Sequence, residues 1–108
     1  MRKLPPLVQR TVDRLIAAFA PDEIRVFGSY AKGTQHAGSD VDLLVVAPLR
    51  GGSPDAHQRR ARQLSADCFP PVDVVLCTPG ERDGAAQLSS PFLASILETG
   101  QVIYRRDG

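Results

Sequence analysis

The stretch DVDLLVVA, residues 40–47, constrains the fold more than any other part of the chain. Two carboxylates one residue apart, Asp40 and Asp42, lead into five apolar residues, Leu43 to Ala47. Such a run reads as a strand buried on both faces beyond Asp42 and therefore as the centre of the fold. A chain of 108 residues with 43% hydrophobic residues can bury one modest core around such a strand, which implies a single domain over residues 1–108.

The flanking segments supply the rest of an α/β sandwich. In PPLVQRTVDRLIAAFAPDE, Val8, Val12, Leu15, Ile16 and Phe19 follow helical spacing, with prolines at the start and Pro21 at the close. EIRVFGS alternates Ile24 and Val26 against Glu23 and Arg25 and runs into a tight turn at Gly28, after which YAK forms one helical turn. Residues 33–39 read as a loop. Ser53 and Pro54 are N-cap and first position of a helix ending near Phe69, and Pro70 and Pro71 break it. VDVVLCT is a strand with Val72, Val74 and Leu76 on one face and Asp73, Val75 and Cys77 on the other. The stretch from Pro79 to Leu88 is weakly helical and interrupted at Gly84. A closing helix starts at Pro91, carries apolar residues at 92, 93, 96 and 97 and stops at Gly100, and VIYRR forms a last strand. The expected class is α/β (α+β), with helices packed mainly on one face of a small sheet.

Composition excludes several classes of function. With 13 basic and 12 acidic residues the formal net charge is +1, which leaves no strong nucleic-acid footprint. The N-terminal residues lack the apolar segment of a signal peptide and no apolar run is long enough to span a membrane, so a cytoplasmic location is expected. Cys68 and Cys77 show no metal or redox spacing and read as small buried thiols.

The chemistry concentrates in three carboxylates. Side chains alternate along a strand, so Asp40 and Asp42 point to one face, about 7 Å apart. If the strand carrying Asp73 pairs beside the first in matching register, its side chain joins them. At an effective dielectric of about 20, two unit charges about 4 Å apart repel by roughly 4 kcal/mol. Clustered carboxylates therefore call for divalent cations, and all-oxygen ligation favours Mg²⁺ or Mn²⁺. Gly28 permits a sharp turn and close approach to a ligand, while Ser29 offers a hydroxyl and the free N–H groups of a helical turn to phosphate oxygens. Lys32 either neutralises triphosphate charge or is a solvated loop lysine. His36 reads as a loop residue, His57 as a half-buried packing histidine, Arg59, Arg60 and Arg62 as a solvated helix face, and Tyr30 and Tyr104 as packing residues.

GSYAKGTQHAGSDVDLLVV, residues 28–46, resembles the Gly-Ser, ten-residue spacer, Asp-x-Asp signature of the nucleotidyltransferase superfamily that includes DNA polymerase beta. The match is closest to its minimal nucleotidyltransferase (MNT) branch, and it extends over most of the chain, with Asp73 in PVDVVL as the third aspartate and SPFLASILETGQVIYRR as the closing helix and strand. The resemblance implies a nucleotidyltransferase fold with a small mixed sheet. It implies that Asp40 and Asp42 ligate two Mg²⁺ ions, that Asp73 binds the catalytic one and helps to deprotonate the acceptor, and that Gly28 and Ser29 hold the triphosphate of ATP. An acceptor hydroxyl would attack the α-phosphorus and release pyrophosphate. The chain ends soon after the last strand, so an acceptor platform from elsewhere is expected. MNT proteins of this size are commonly paired with a small helical HEPN-type toxin, and the expectation is an antitoxin that adds AMP to a tyrosine of that partner. A module that blocks the partner by contact alone, a transferase for a small molecule or RNA end, and a homo-oligomer covering an exposed sheet edge all stay open at this point.

Overall fold

The computed structural model describes residues 4–33, 40–68, 70–88 and 91–106, with the backbone alone of Ser29, Lys32 and residues 85–88. The elements follow the order α1 (Pro6–Phe19), β1 (Glu23–Phe27), α2 (Ser29–Lys32), β2 (Val41–Val46), α3 (Pro54–Ser65), β3 (Val72–Cys77), α4 (Pro79–Leu88), α5 (Pro91–Thr99) and β4 (Gln101–Arg105). The four strands form one mixed sheet in the order β3-β2-β1-β4. β1 is antiparallel to both β2 and β4, and β2 is parallel to β3.

β2 is the buried strand that its apolar run requires: Val41 and every residue from Leu43 to Ala47 are fully buried. Each valine or leucine among them contributes about 1.5–3 kcal/mol on removal from water. Backbone bonds from Val41 N to Pro71 O (2.8 Å) and from Ala47 N to Cys77 O (2.9 Å) continue the parallel pairing at both ends. α3 is the crossover that a parallel pair needs. It starts where expected, with the Ser53 hydroxyl accepting from Ala56 N at 3.1 Å and Pro54 in the first turn.

The two faces of the sheet are covered unequally. Val41, Leu43, Val45, Ile24, Val26 and Val74 join Val8, Val12 and Leu15 of α1 and Ala61 of α3 in the larger cluster. Leu44, Val46 and Cys77, on the other face, meet Leu93 and Ile96 of α5. Helices thus pack mainly on one face, and α5 covers part of the second. Tyr30 is buried, Tyr104 packs against the larger cluster, and Arg59, Arg60 and Arg62 form an exposed helix face.

Three local features differ from the sequence reading. α3 ends at Ser65 rather than near Phe69, which lies outside the described residues. The Ser65 hydroxyl donates back to Ala61 O at 3.1 Å, and Arg14 of α1 donates to Leu64 O (3.3 Å) and to the Asp67 carboxylate (2.8 Å), which pulls the chain out of the helix. α4 runs through Gly84 without a break, because a reciprocal cap starts it: Glu81 N donates to Thr78 Oγ1 at 3.1 Å and Thr78 N donates to Glu81 Oε1 at 2.9 Å. Glu23, set among the polar positions of its strand, is only 3% exposed.

Glu23 is held by two arginines, Arg25 at 2.5 Å and Arg82 of α4 at 2.7 Å. Burial pushes its carboxyl up, but the hydrogen bonds and charges of the two guanidiniums overcome this and leave it below its ordinary value of 4.5. The pair therefore stabilises the fold fully above that value and less as pH falls through the lower folded one. Glu23→Ala is expected to cost on the order of 3 kcal/mol in urea unfolding at neutral pH, by leaving two guanidiniums without their shared acceptor. The gap to wild type should close in acid.

Candidate functional site

At the opposite end of β2 from Val46, Phe27 closes β1 and Gly28 turns the chain into the four-residue α2. Gly28 has φ +71°, in the left-handed region that glycine adopts without the Cβ penalty. The space beside it is already taken: a Cβ built on Gly28 would collide with Asp42 Oδ2 and stand 3.3 Å from Asp42 Cγ. The carboxylate thus lies directly against the Gly28 backbone. This contact joins two parts of the motif that stand well apart in the sequence.

The third aspartate arrives through the sheet. Parallel register places Asp42 opposite Asp73, so both side chains project from the same face. Asp40 is exposed and immediately precedes β2, and Asp73 is also exposed, whereas Asp42 is half-buried. The Asp42 carboxyl is held above its ordinary value, first by burial and then by the negative charges of Asp73 and Asp40. The three carboxylates therefore act on one another, as the alternation and register arguments require.

These features sit within a wider match. A family model for the nucleotidyltransferase domain matches residues 8–96. The chain belongs to the nucleotidyltransferase domain family. Its fold is similar to a chain in the crystal structure of a toxin–antitoxin with AMP-PNP, at 24% identity and a TM-score of 0.61, covering 90% of this chain and 73% of that one. It is also similar to a candidate nucleotidyltransferase from Sulfolobus solfataricus, at 20% identity and a TM-score of 0.65, covering 93% and 78% of the two chains. Among curated proteins, none matches the sequence.

Nucleotidyltransferases generally use a nucleoside triphosphate and a divalent metal. The donor set here is all oxygen and suits Mg²⁺ or Mn²⁺. Three mutually repelling carboxylates, one of them half-buried with a raised proton affinity, form a focus of negative charge that a cation would neutralise. Among the described residues no group of three or more His, Cys, Asp or Glu side chains is gathered tightly enough to hold an ion. The fit therefore lies in donor chemistry and shared face, with the exposed Asp40 and Asp73 side chains left to close on the metal.

Ser29 opens α2 and Lys32 closes it, which puts both in the turn that follows Gly28. Their side chains, like His36 and the rest of residues 34–39, lie outside the described residues. Cys77 and Cys68 are free thiols. Burial above all pushes the Cys77 thiol up to about 11, which keeps it protonated at neutral pH. His57 packs edge-on against Phe19 at 6.5 Å, as a packing histidine would. One residue departs from its helical pattern: Phe92, spaced to face inward with Leu93, Ile96 and Leu97, is 60% exposed. Its position beside Pro91 at the very start of α5 is the sequence signal, because a first-turn residue can escape the buried stripe.

Two stability measurements check this geometry. Asp42→Asn should melt a few degrees above wild type in metal-free buffer at neutral pH, since a carboxylate with a raised folded pKa destabilises the fold once ionised. That advantage should shrink as pH falls toward 3.8, where Asp42 is increasingly protonated in the unfolded chain as well. Gly28→Ala should cost about 1–2 kcal/mol for the left-handed backbone plus a further amount for displacing the carboxylate. In an Asp42→Ala background only the backbone part should remain, so a double-mutant cycle by denaturant unfolding should show coupling between the two sites.

Proposed function

We propose that this nucleotidyltransferase domain transfers AMP from ATP to a hydroxyl acceptor, a tyrosine of a helical HEPN-type partner, and so acts as the antitoxin of a toxin–antitoxin pair in the cytoplasm. The observation that carries the catalytic part is the apposition of Gly28 with the Asp42 carboxylate, beside Asp73 in register. The partner assignment is supported by the likeness to MNT domains and by the similar fold found in a toxin–antitoxin crystal structure with AMP-PNP. No helix of the described residues is long and apolar enough to cross a membrane.

In this reading Gly28 and Ser29 seat the triphosphate, and Gly28 does so through its backbone, because the space a side chain would take belongs to Asp42. Lys32, three residues on, offsets triphosphate charge. Asp40, Asp42 and Asp73 would hold two Mg²⁺ ions, which when bound supply activation of the attacking hydroxyl and neutralisation of the leaving pyrophosphate. Asp73, exposed on the outer strand β3, would also accept the acceptor's proton. The acceptor oxygen forms its bond to the α-phosphorus as the bond to pyrophosphate breaks.

The open spacing of the carboxylates favours a second reading, in which the chain neutralises its partner by contact without catalysis. Intact mass separates the two. A co-expressed helical partner incubated with ATP and Mg²⁺ should gain one or more AMP units with wild type and none with Asp42→Ala. An unchanged mass, with a stable complex formed by both variants, would establish the contact-only module instead.

A further inference from the structure

The face of the sheet that carries Asp42 and Asp73 is divided. Toward the Val46 end it is covered by Leu93 and Ile96 of α5. Toward the Asp42 end the cover stops at a pair of aromatic rings, Phe27 and Phe92, whose centroids lie 6.3 Å apart with planes at 85°. Phe27 is the register partner of Asp42 on the neighbouring strand. Residues opposite one another in an antiparallel pair share a face and lie about 5 Å apart. The Phe92 ring therefore stands two contacts from the Asp42 carboxylate, at the rim of the open half of the face.

Among the described residues Leu7 and Phe92 are the most exposed large hydrophobics, at 40% and 60%. Leu7 belongs to α1, which packs against the opposite face of the sheet. Among the described residues Phe92 is thus the most exposed large apolar side chain on the carboxylate face, and its ring packs edge-on against Phe27. Edge-to-face contact orients an aromatic ring and leaves the rest of its surface available for another π system.

We infer that Phe92, braced by Phe27, is the platform on which the base of the bound nucleotide stacks. This rests on the reading of Gly28 and the three aspartates as the triphosphate and metal seat. Phe27 immediately precedes Gly28 in the chain, so the aromatic pair adjoins the proposed phosphate seat, from which the base is separated by a single ribose. Stacking on an aromatic side chain contributes about 1–3 kcal/mol per base. The site would hold its donor from both ends, by charge at the phosphates and by the ring at the base.

Calorimetric titration of MgATP and of inorganic triphosphate with Mg²⁺ into wild type, Phe92→Ala and Phe92→Trp tests this. Phe92→Ala should weaken ATP binding by about 5- to 150-fold, and triphosphate should bind wild type and variant alike, which also reports an intact seat. Phe92→Trp should keep ATP affinity, and its indole, the sole tryptophan in a chain that has none, should be quenched by ATP and not by triphosphate. Equal ATP affinity in wild type and Phe92→Ala would overturn the base platform and leave the nucleotide site standing. Failure of wild type to bind either ligand would overturn the nucleotide seat and the platform with it.

Discussion

Two strands that lie side by side in the same direction cannot be joined by a tight turn, and in this chain that constraint organises both the fold and the site. The parallel pairing of β2 with β3 places Asp42 opposite Asp73 and is possible only because α3 carries the chain back across the sheet. The same pairing buries β2 between β1 and β3, and the helices on its two faces complete the core. The carboxylate pair therefore depends on the strongest hydrophobic feature of the molecule. A one-residue slip in register would turn Asp73 to the other face and bury it against α3, so the core enforces the alignment of the charged groups.

The second constraint is local. A glycine with positive φ lets the backbone pass so close to Asp42 that no side chain fits between them. A half-buried carboxylate against a bare backbone, with two further carboxylates acting on it, is an arrangement in which stability is given up for concentrated negative charge. At the far end of the same sheet the arrangement is the opposite, with Glu23 neutralised by Arg25 and Arg82. The sheet thus has one end where charge is paired and one where Asp42 stands with two further carboxylates.

Much of this was legible in the residues. The apolar run after Asp42 determined β2, helical spacing in residues 8–19 determined α1, and strand alternation with the Asp-x-Asp spacing set the shared face of the aspartates. Two of the features that escaped depend on contacts between distant segments, the burial of Glu23 and the end of α3. Burial of Glu23 requires Arg82, 59 residues away, and its strand alternation alone shows only a polar position. The end of α3 is decided by Arg14 from another helix, and the exposure of Phe92 by how α5 lies on the sheet. The continuity of α4 through Gly84 had a local signal, Thr78 followed three residues later by Glu81, that outweighs the cost of one glycine.

The proposal that Gly28, Asp40, Asp42 and Asp73 form one nucleotide and metal seat can be checked in a crystal structure with Mn²⁺ and a non-hydrolysable ATP analogue, with anomalous scattering used to locate the metal. The expected result is anomalous density bounded by the three carboxylates and a triphosphate against the Gly28 backbone. Nucleotide bound elsewhere on the fold, or ordered nucleotide with no metal at these carboxylates, would contradict it.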